Sequence, residues 1–176
     1  MHYRIGNYKD LEKLRELGIK SWSQYRNELT NENWNKLFES LNNSETYIEL
    51  LDKSECLICE NDNGEIIGMA FLVSKGNPTE IYDEKWCYIR FVSVNPNYRG
   101  KGIGEELTRK CIEIAQKNNE QIMALHTSEI MKGARHLYEK IGFKILKEIE
   151  PRLGVKYWLY TLELKEINEK PTHNTS

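Results

Sequence analysis

Apolar residues recur at helical spacing in two segments of the N-terminal third, after a short apolar stretch in the first five residues that predicts a strand. The first segment starts near Tyr8, with Asp10 placed to begin it, and its apolar positions are Leu11, Leu14, Leu17, Trp22 and Tyr25. The second runs from Asn31 to Leu41, with apolar side chains at Trp34, Leu37, Phe38 and Leu41. Spacings of three and four residues place each set on one helix face, so we predict two amphipathic helices.

The middle of the chain is richer in β-branched and aromatic residues. Cys56–Cys59, the turn Asn61–Gly64 and the run Glu65–Val73 predict an antiparallel hairpin. Lys85–Val94 predicts a further strand. That strand should stop at Pro96, because proline has no N–H to donate to a central sheet.

The last third alternates between helical and strand patterns. We predict helices over Glu105–Asn118 and Met131–Ile141, the second capped by Gly142, and strands over Gln121–Leu125, Phe143–Ile149 and Tyr157–Leu164. The whole order is strand, two helices, three strands, helix, strand, helix, two strands. This order predicts an α+β fold, a mixed central sheet with helices on both faces. We expect residues 1–166 to form a single domain and residues 167–176 to form a flexible tail.

The composition of the chain bears on which partners the protein can bind. The chain has 176 residues, of which 39% are hydrophobic and 30% charged, and its formal net charge is −2. It lacks the basic excess that binding to a phosphate backbone needs, so we expect no nucleic-acid partner. No apolar stretch approaches the roughly 20 residues that cross a bilayer, and the N-terminus has no apolar leader. We therefore expect a cytoplasmic protein without a membrane partner.

The pair Cys56 and Cys59 raises the question of a metal or redox site. In an extended segment, residues three apart point to opposite faces, so the two thiols should not meet. The histidines, at positions 2, 126, 136 and 173, also lack the spacing of metal ligands. We predict no metal.

The loop Arg99-Gly100-Lys101-Gly102-Ile103-Gly104 lies between a predicted strand and a predicted helix. Amides at a helix N-terminus favour an anion, and glycines let the backbone approach it closely. The spacing excludes two common phosphate loops. A Walker loop needs Ser or Thr where Gly102 stands, and a dinucleotide loop needs a glycine where Glu105 or Leu107 stands.

Two segments resemble a known family. Val92-Ser93-Val94-Asn95-Pro96-Asn97-Tyr98-Arg99-Gly100-Lys101-Gly102-Ile103-Gly104 is similar to the R-x-x-G-x-G signature of the GCN5-related N-acetyltransferases (GNAT), and Ala134-Arg135-His136-Leu137-Tyr138-Glu139-Lys140-Ile141-Gly142-Phe143 is similar to their second signature. The resemblance implies the GNAT fold, acetyl-CoA as co-substrate and transfer of the acetyl group to an amine. A non-catalytic acyl-CoA-binding or sensing module is the alternative.

The resemblance also implies roles for individual residues. Tyr138 occupies the position of the general acid that protonates the departing thiolate. The backbone before the loop would hold the pantetheine arm, and the loop with the first helical turn would cradle the pyrophosphate. The residues so implied are Val92, Ser93, Val94, Arg99, Gly100, Lys101, Gly102, Ile103, Gly104 and Glu105.

Two departures from the family pattern leave roles open. Met131 stands where many relatives carry a cofactor-contacting asparagine, so we expect that contact to be absent. Tyr88 stands where a subgroup carries a carboxylate, so the general base is unassigned. Tyr88, His126, Glu129 and a water relay are the candidates.

The acceptor is an amine of a small molecule or a peptide, and a homodimer is possible. Relatives often build the acceptor wall from the first two helices. The aromatic residues there are Trp22, Tyr25, Trp34 and Phe38. Their helical spacing favours core packing over a pocket wall.

Overall fold

The computed structural model describes residues 1–165, so the predicted tail at 167–176 lies outside the described residues. The strands are β1 His2–Ile5, β2 Ser54–Glu60, β3 Ile66–Val73, β4 Cys87–Val94, β5 Ile122–Ser128, β6 Lys144–Arg152 and β7 Val155–Glu163. They form a seven-stranded sheet in the order β1-β2-β3-β4-β5-β7-β6. The β4–β5 pair is parallel and the other neighbours are antiparallel, which confirms the predicted mixed sheet.

Helices cover both faces of this sheet, as predicted. The α-helices are α1 Leu11–Trp22, α2 Asn31–Asn42, α3 Ser44–Lys53, α4 Ile103–Lys117 and α5 Lys132–Ile141. On one face, Leu14 of α1 and Leu50 of α3 belong to the same buried cluster as Phe71. On the other face, Leu107 of α4 and Tyr138 of α5 belong to the second large cluster.

Helix α3 is absent from the sequence-based prediction, although its signal is in the chain. Asn43 caps it, because the Asn43 side chain accepts a hydrogen bond of 3.0 Å from the amide of Glu45. Tyr47 and Leu50, three residues apart, are buried. This cap and spacing together would have predicted the helix.

The two faces of the sheet separate the cysteines of β2 as expected. Cys56 packs in the cluster with α1 and α3, whereas Cys59 packs in the cluster with α4. Burial raises the pKa of Cys56 to about 12, so its thiol stays protonated. Within residues 1–165, no three or more Cys, His, Asp or Glu side chains group as metal ligands. None of the helices in that range is both long and apolar enough to cross a bilayer.

Candidate active site

Strands β4 and β5 run side by side only at their beginnings. The last residues in register are Tyr88 and Ala124. Because β4 continues to Val94 and β5 to Ser128, the strands diverge beyond that point. A cleft of about 860 Å³ opens between them. The backbone groups that face the gap have no neighbouring strand, so they are free to bind a ligand.

A bulge in β4 accompanies this divergence. The pairing of β3 with β4 shifts register between Met69 and Phe71, opposite Phe91 and its neighbour. Phe91 has a left-handed φ of 53°. Its ring packs edge-on against Tyr47 at 5.9 Å and against Phe71 at 6.3 Å, which holds the strained backbone in place. A bulge bends its strand, so Phe91 directs the end of β4 away from β5.

The glycine-rich loop delivers the N-terminus of α4 to the cleft. Thr30 and Asn43 cap α2 and α3 with their side chains, but no side chain of residues 1–165 caps α4. The amide of Glu106 donates to the carbonyl of Gly102 at 2.9 Å, so the amides of residues 103–105 precede the first intrahelical bond. Three unpaired N–H groups at the positive end of a helix dipole form a binding site for an anion.

Two glycines keep this site open. Gly100 and Gly102 have φ angles of 74° and 77°, a region that side chains disfavour. A Cβ atom at either position would meet no protein atom within 4 Å, so the backbone there faces open space. Gly104 differs, because a Cβ atom there would lie at ordinary contact distance, 3.6 Å from Leu137 and 3.7 Å from Val94.

The structure brings most of the predicted cofactor residues to the cleft. Those that line it are Val92, Val94, Arg99, Gly100, Gly102, Ile103, Gly104 and Glu105. Ser93 is buried between the two valines and points to the other face of the sheet. The Lys101 ammonium lies 4.9 Å from the centroid of the Tyr98 ring. Arg99 donates to the carbonyl of Ser21 at 3.1 Å, which ties the loop to the end of α1.

Tyr138 of α5 lies beside the loop. It lines the cleft, and its ring packs edge-on against Phe143 at 5.8 Å. Gly142 ends α5 with a left-handed φ of 119°, as predicted. Burial raises the pKa of Tyr138 above its ordinary value, so the phenol keeps its proton at physiological pH.

The three candidate bases lie in different surroundings. Tyr88 is buried, and its hydroxyl donates to the carbonyl of Asn77 at 3.0 Å. Glu129 accepts from the amide of Lys156 at 3.0 Å on the exposed surface. Neither of them lines the cleft, whereas His126 does.

The surroundings of His126 keep its imidazole neutral. The ring lies between those of Tyr82 and Tyr157, with 5.8 Å between centroids in both cases, and its Nδ1 shares a hydrogen bond with the Tyr82 hydroxyl. Burial, followed by the charges of Arg90 and Arg152, lowers the pKa of His126 to about 3. Cationic groups therefore act on this part of the cleft.

Comparison with known proteins places the fold and the loop in one family. Residues 12–143, more than half of the chain, match the model of the acetyltransferase (GNAT) family. The chain belongs to this GNAT family.

Individual relatives match part of the chain. Over 117 residues the chain is 31% identical to N-acetylaspartate synthetase of Xenopus tropicalis, and this match covers 58% of this chain and 41% of that protein. It is 30% identical over 94 residues to human N-acetyltransferase 8B, which covers 52% of this chain and 40% of that protein. The chain thus spans less than half the length of these two relatives.

Solved structures of GNAT enzymes share the fold across nearly the whole chain. The PaiA N-acetyltransferase of Thermoplasma acidophilum, in complex with coenzyme A, superposes with a TM-score of 0.74 at 19% identity, covering 93% of this chain and 99% of that one. The ribosomal-protein-S18-alanine N-acetyltransferase of Escherichia coli has a TM-score of 0.70 at 14% identity, with 96% of each chain covered.

The GNAT cleft has two ends. We call the part formed by residues 99–105 the loop end. The far end is formed by α2, the β4–β5 gap and the β6–β7 turn, and its residues are Lys36, Leu37, Arg90, His126, Arg152 and Leu153. The β6–β7 turn reaches α2, because a Cβ atom at Gly154 would lie 2.7 Å from the Asn33 side chain.

We predicted that four aromatic residues of the N-terminal third pack in the core, and this prediction is wrong for three of them. Trp22 and Tyr25 line the cleft, with their ring centroids 5.7 Å apart, and Phe38 is 37% exposed. Trp34 is buried as expected. Helical spacing fails at Tyr25 because α1 ends at Trp22 and the chain continues as a 3-10 helix over Ser23–Glu28.

Sequence analysis also assigned no role to Arg90, Arg152 or Tyr82. Arg90 carried a usable signal, since a charge inside an apolar strand needs a partner. Arg152 and Tyr82 reach the site only through tertiary packing. Arg152 comes from the β6–β7 hairpin, and Tyr82 comes from the loop between β3 and β4.

Proposed function

We propose that this protein transfers the acetyl group of acetyl-CoA to a primary amine by direct attack, with Tyr138 as general acid. The observation that carries this proposal is the meeting of the uncapped N-terminus of α4 with the gap between β4 and β5. The first feature suits a pyrophosphate, and the second suits an extended amide-bearing arm. Family membership supports the same reaction class.

The loop end fits the cofactor's charge and shape. The amides of residues 103–105 would hold the pyrophosphate, and the open backbone at Gly100 and Gly102 leaves room for it. The side of β4 that faces the gap carries backbone groups at Val92 and Val94 that can pair with the pantetheine amides. Bound acetyl-CoA supplies an activated thioester.

Tyr138 would complete the reaction at the sulfur. As the amine nitrogen bonds to the carbonyl carbon, the carbon–sulfur bond breaks, and the sulfur takes a proton from the phenol. A buried phenol with a raised pKa is a weak acid, so we expect its hydrogen bond to the sulfur to strengthen as charge develops there and the proton to transfer late; water then returns a proton to the phenolate.

The amine must lose a proton during the reaction. His126 lines the cleft but has a pKa lowered to about 3, which makes it a weak base. We therefore favour water as the acceptor of that proton. The cations that disfavour protonation of His126 also disfavour an ammonium beside it, so the amine would bind as the neutral nucleophile.

Family membership leaves the acceptor open. One relative is named for N-acetylaspartate, and one structural neighbour is named for an alanine of ribosomal protein S18. These are different acceptors within one fold.

Two measurements test this proposal. Calorimetry measures the binding of acetyl-CoA, and the release of free thiol measures turnover in a screen of amines. We expect binding and turnover, and we expect Tyr138→Phe to lower kcat about 100-fold or more while the Kd for acetyl-CoA stays within about twofold. Tight binding without turnover for any amine would favour the non-catalytic sensing alternative. Equal kcat for Tyr138→Phe and the wild type would remove the acid role.

A further inference from the structure

The cleft is cationic although the protein is not. The whole chain has 25 Lys and Arg against 27 Asp and Glu. The cations that line the cleft are Lys36, Arg90, Arg99, Lys132 and Arg152, whereas Glu105 is the one acid among the lining residues within 1–165. That carboxylate is already paired with Arg109 and Lys140, both at 2.9 Å. The cleft therefore holds an excess of positive charge for an anionic ligand.

Acetyl-CoA accounts for only part of this excess. Arg99 belongs to the loop end and Lys132 to the start of α5, which suits the phosphates of the cofactor. The remaining three cations, Lys36, Arg90 and Arg152, belong to the far end. The proposed pyrophosphate site does not involve these three side chains.

Of these three cations, Arg90 has the strongest need for a ligand. Lys36 pairs with Glu32 at 2.9 Å and Arg152 pairs with Glu80 at 2.8 Å, and both glutamates are about four-fifths exposed. Arg90 is partly buried, and no carboxylate within residues 1–165 forms an ion pair with it. Its guanidinium carbon lies 5.7 Å from the centroid of the Phe91 ring. A partly buried guanidinium without a carboxylate partner is well placed to bind an anionic ligand in the cleft.

The register of the sheet places Arg90 beside the reaction path. Tyr88 and Ala124 are the last residues in register, so Arg90 and His126 each follow by two residues and lie on one face of the sheet. Burial lowers the pKa of His126, and the charges of Arg90 and Arg152 lower it further. The two guanidiniums therefore act on the same part of the cleft.

We propose that the acceptor is an amine that also carries a carboxylate within a few bonds, and that Arg90 binds this carboxylate with Arg152 close by. This inference rests on the function proposed above. Arginine suits the task because its planar fork can donate two parallel hydrogen bonds to one carboxylate.

The geometry limits the separation between amine and carboxylate. Arg90 and Val92 belong to the same strand and are separated by the bulged residue Phe91, and both line the cleft. An acceptor held by Arg90 and attacking a thioester held beside Val92 therefore has its carboxylate close to its amine, as in an amino acid or the acidic first residue of a peptide. A polyamine or a lysine side chain would instead place further positive charge beside Arg90 and Arg152.

The test is an acceptor screen with matched pairs. Each of the 20 common amino acids is compared with its α-amide, and aspartate and glutamate also with their diamides, at saturating acetyl-CoA. A dipeptide amide that starts with aspartate separates the peptide source from the free amino acid. We expect the best acceptor to carry a carboxylate and to lose about 10- to 100-fold in kcat/KM when all its carboxylates become amides.

Variants of Arg90 then assign the effect. For the carboxylate acceptor, Arg90→Gln should lower kcat/KM by about 10- to 100-fold, as replacing its carboxylates with amides does. For the amide acceptor, the same variant should lower kcat/KM by less than about threefold. The Kd for acetyl-CoA should be unchanged. Arg90→Lys should retain part of the preference. Arg15→Gln, which removes a guanidinium bound to Glu12 and Asn42 outside the cleft, is the control and should retain full activity.

Two results would overturn the inference. One is a best acceptor without a carboxylate, and the other is an equal loss for acid and amide in Arg90→Gln. If acetyl-CoA binds but no amine turns over, the proposed function fails by itself. Calorimetry of the CoA-bound protein with the same amino acids then tests the carboxylate site. The site predicts that an amino acid binds and that Arg90→Gln abolishes this binding. If no amino acid binds, the carboxylate site is rejected.

Discussion

Tyr82 and His126 share a hydrogen bond between the phenol oxygen and Nδ1 at the far end of the cleft. Tyr82 is in turn stacked on Tyr88, with their ring centroids 4.0 Å apart. This packing withdraws much of the imidazole from water, and Arg90 and Arg152 add positive charge nearby. The partly buried His126 is therefore neutral in the folded protein, which has a measurable consequence for stability.

His126 should make the protein less stable as the pH falls. Its folded pKa is about 3, below the ordinary value of about 6.5, so between these values the unfolded chain binds the extra proton. The free energy of unfolding should fall with decreasing pH from about 6.5, by at most about 1.4 kcal/mol per pH unit from this group.

Urea unfolding between pH 7 and pH 5 measures this slope, since most carboxylates titrate below that range. His126→Asn, which keeps an acceptor for Tyr82, should flatten it. The same slope in wild type and variant would contradict a neutral, partly buried imidazole.

Gly102→Ala should weaken acetyl-CoA binding far more than it weakens folding. Gly102 has a left-handed φ of 77°, and its Cβ would project into the open space at the loop end. We expect a Kd at least tenfold higher by calorimetry, with a folding cost of about 1 kcal/mol. Gly76→Ala is the matched control, since its φ is 88° and its surroundings are also open, but it lies outside the cleft. Equal Kd values for both variants would show that Gly102 does not face the cofactor.

Gly18→Ala should destabilise the protein, against the usual effect of replacing glycine inside a helix. A Cβ atom at Gly18 would clash with the hydroxyl of Tyr47, which is buried and donates to the carbonyl of Leu41 at 2.9 Å. We expect a loss of about 1–3 kcal/mol in urea unfolding. Gly133→Ala in α5 is the comparison, because nothing lies within 4 Å of its Cβ position. That variant should gain about 0.5–1 kcal/mol.

Asp10→Asn should also lower stability. Arg4 donates to both Asp10 oxygens, at 3.0 and 2.8 Å, and also to Glu60. Hydrogen bonding from Arg4 lowers the pKa of Asp10, so this contribution is present above the ordinary carboxyl pKa and is lost as the pH falls. We expect a loss of about 1–3 kcal/mol at pH 7 in thermal or urea unfolding.

Asp62→Asn serves as its control, since Asp62 is 95% exposed and its one ion pair among the described residues is with the N-terminal amine. We expect a change within about 0.5 kcal/mol there. A comparable loss in both variants would remove the special role of the Arg4–Asp10 pair.

Most of the sheet, the placement of the glycine loop and the family are predictable from the residues alone. Alternation and spacing are local properties, so β2 and β3, the stop at Pro96 and the cap at Gly142 could be predicted directly. The loop was predictable because the glycines and the start of α4 adjoin in the chain.

Which side chains share the cleft depends on how distant elements pack together. The divergence of β4 from β5 depends on the bulge at Phe91, which is held by Tyr47 and Phe71 from distant elements. Likewise Arg90, His126 and Arg152 come from three different strands. The electrostatic interaction among these three side chains depends on their distances in space and on their burial. Neither quantity can be read from the order of residues along the chain.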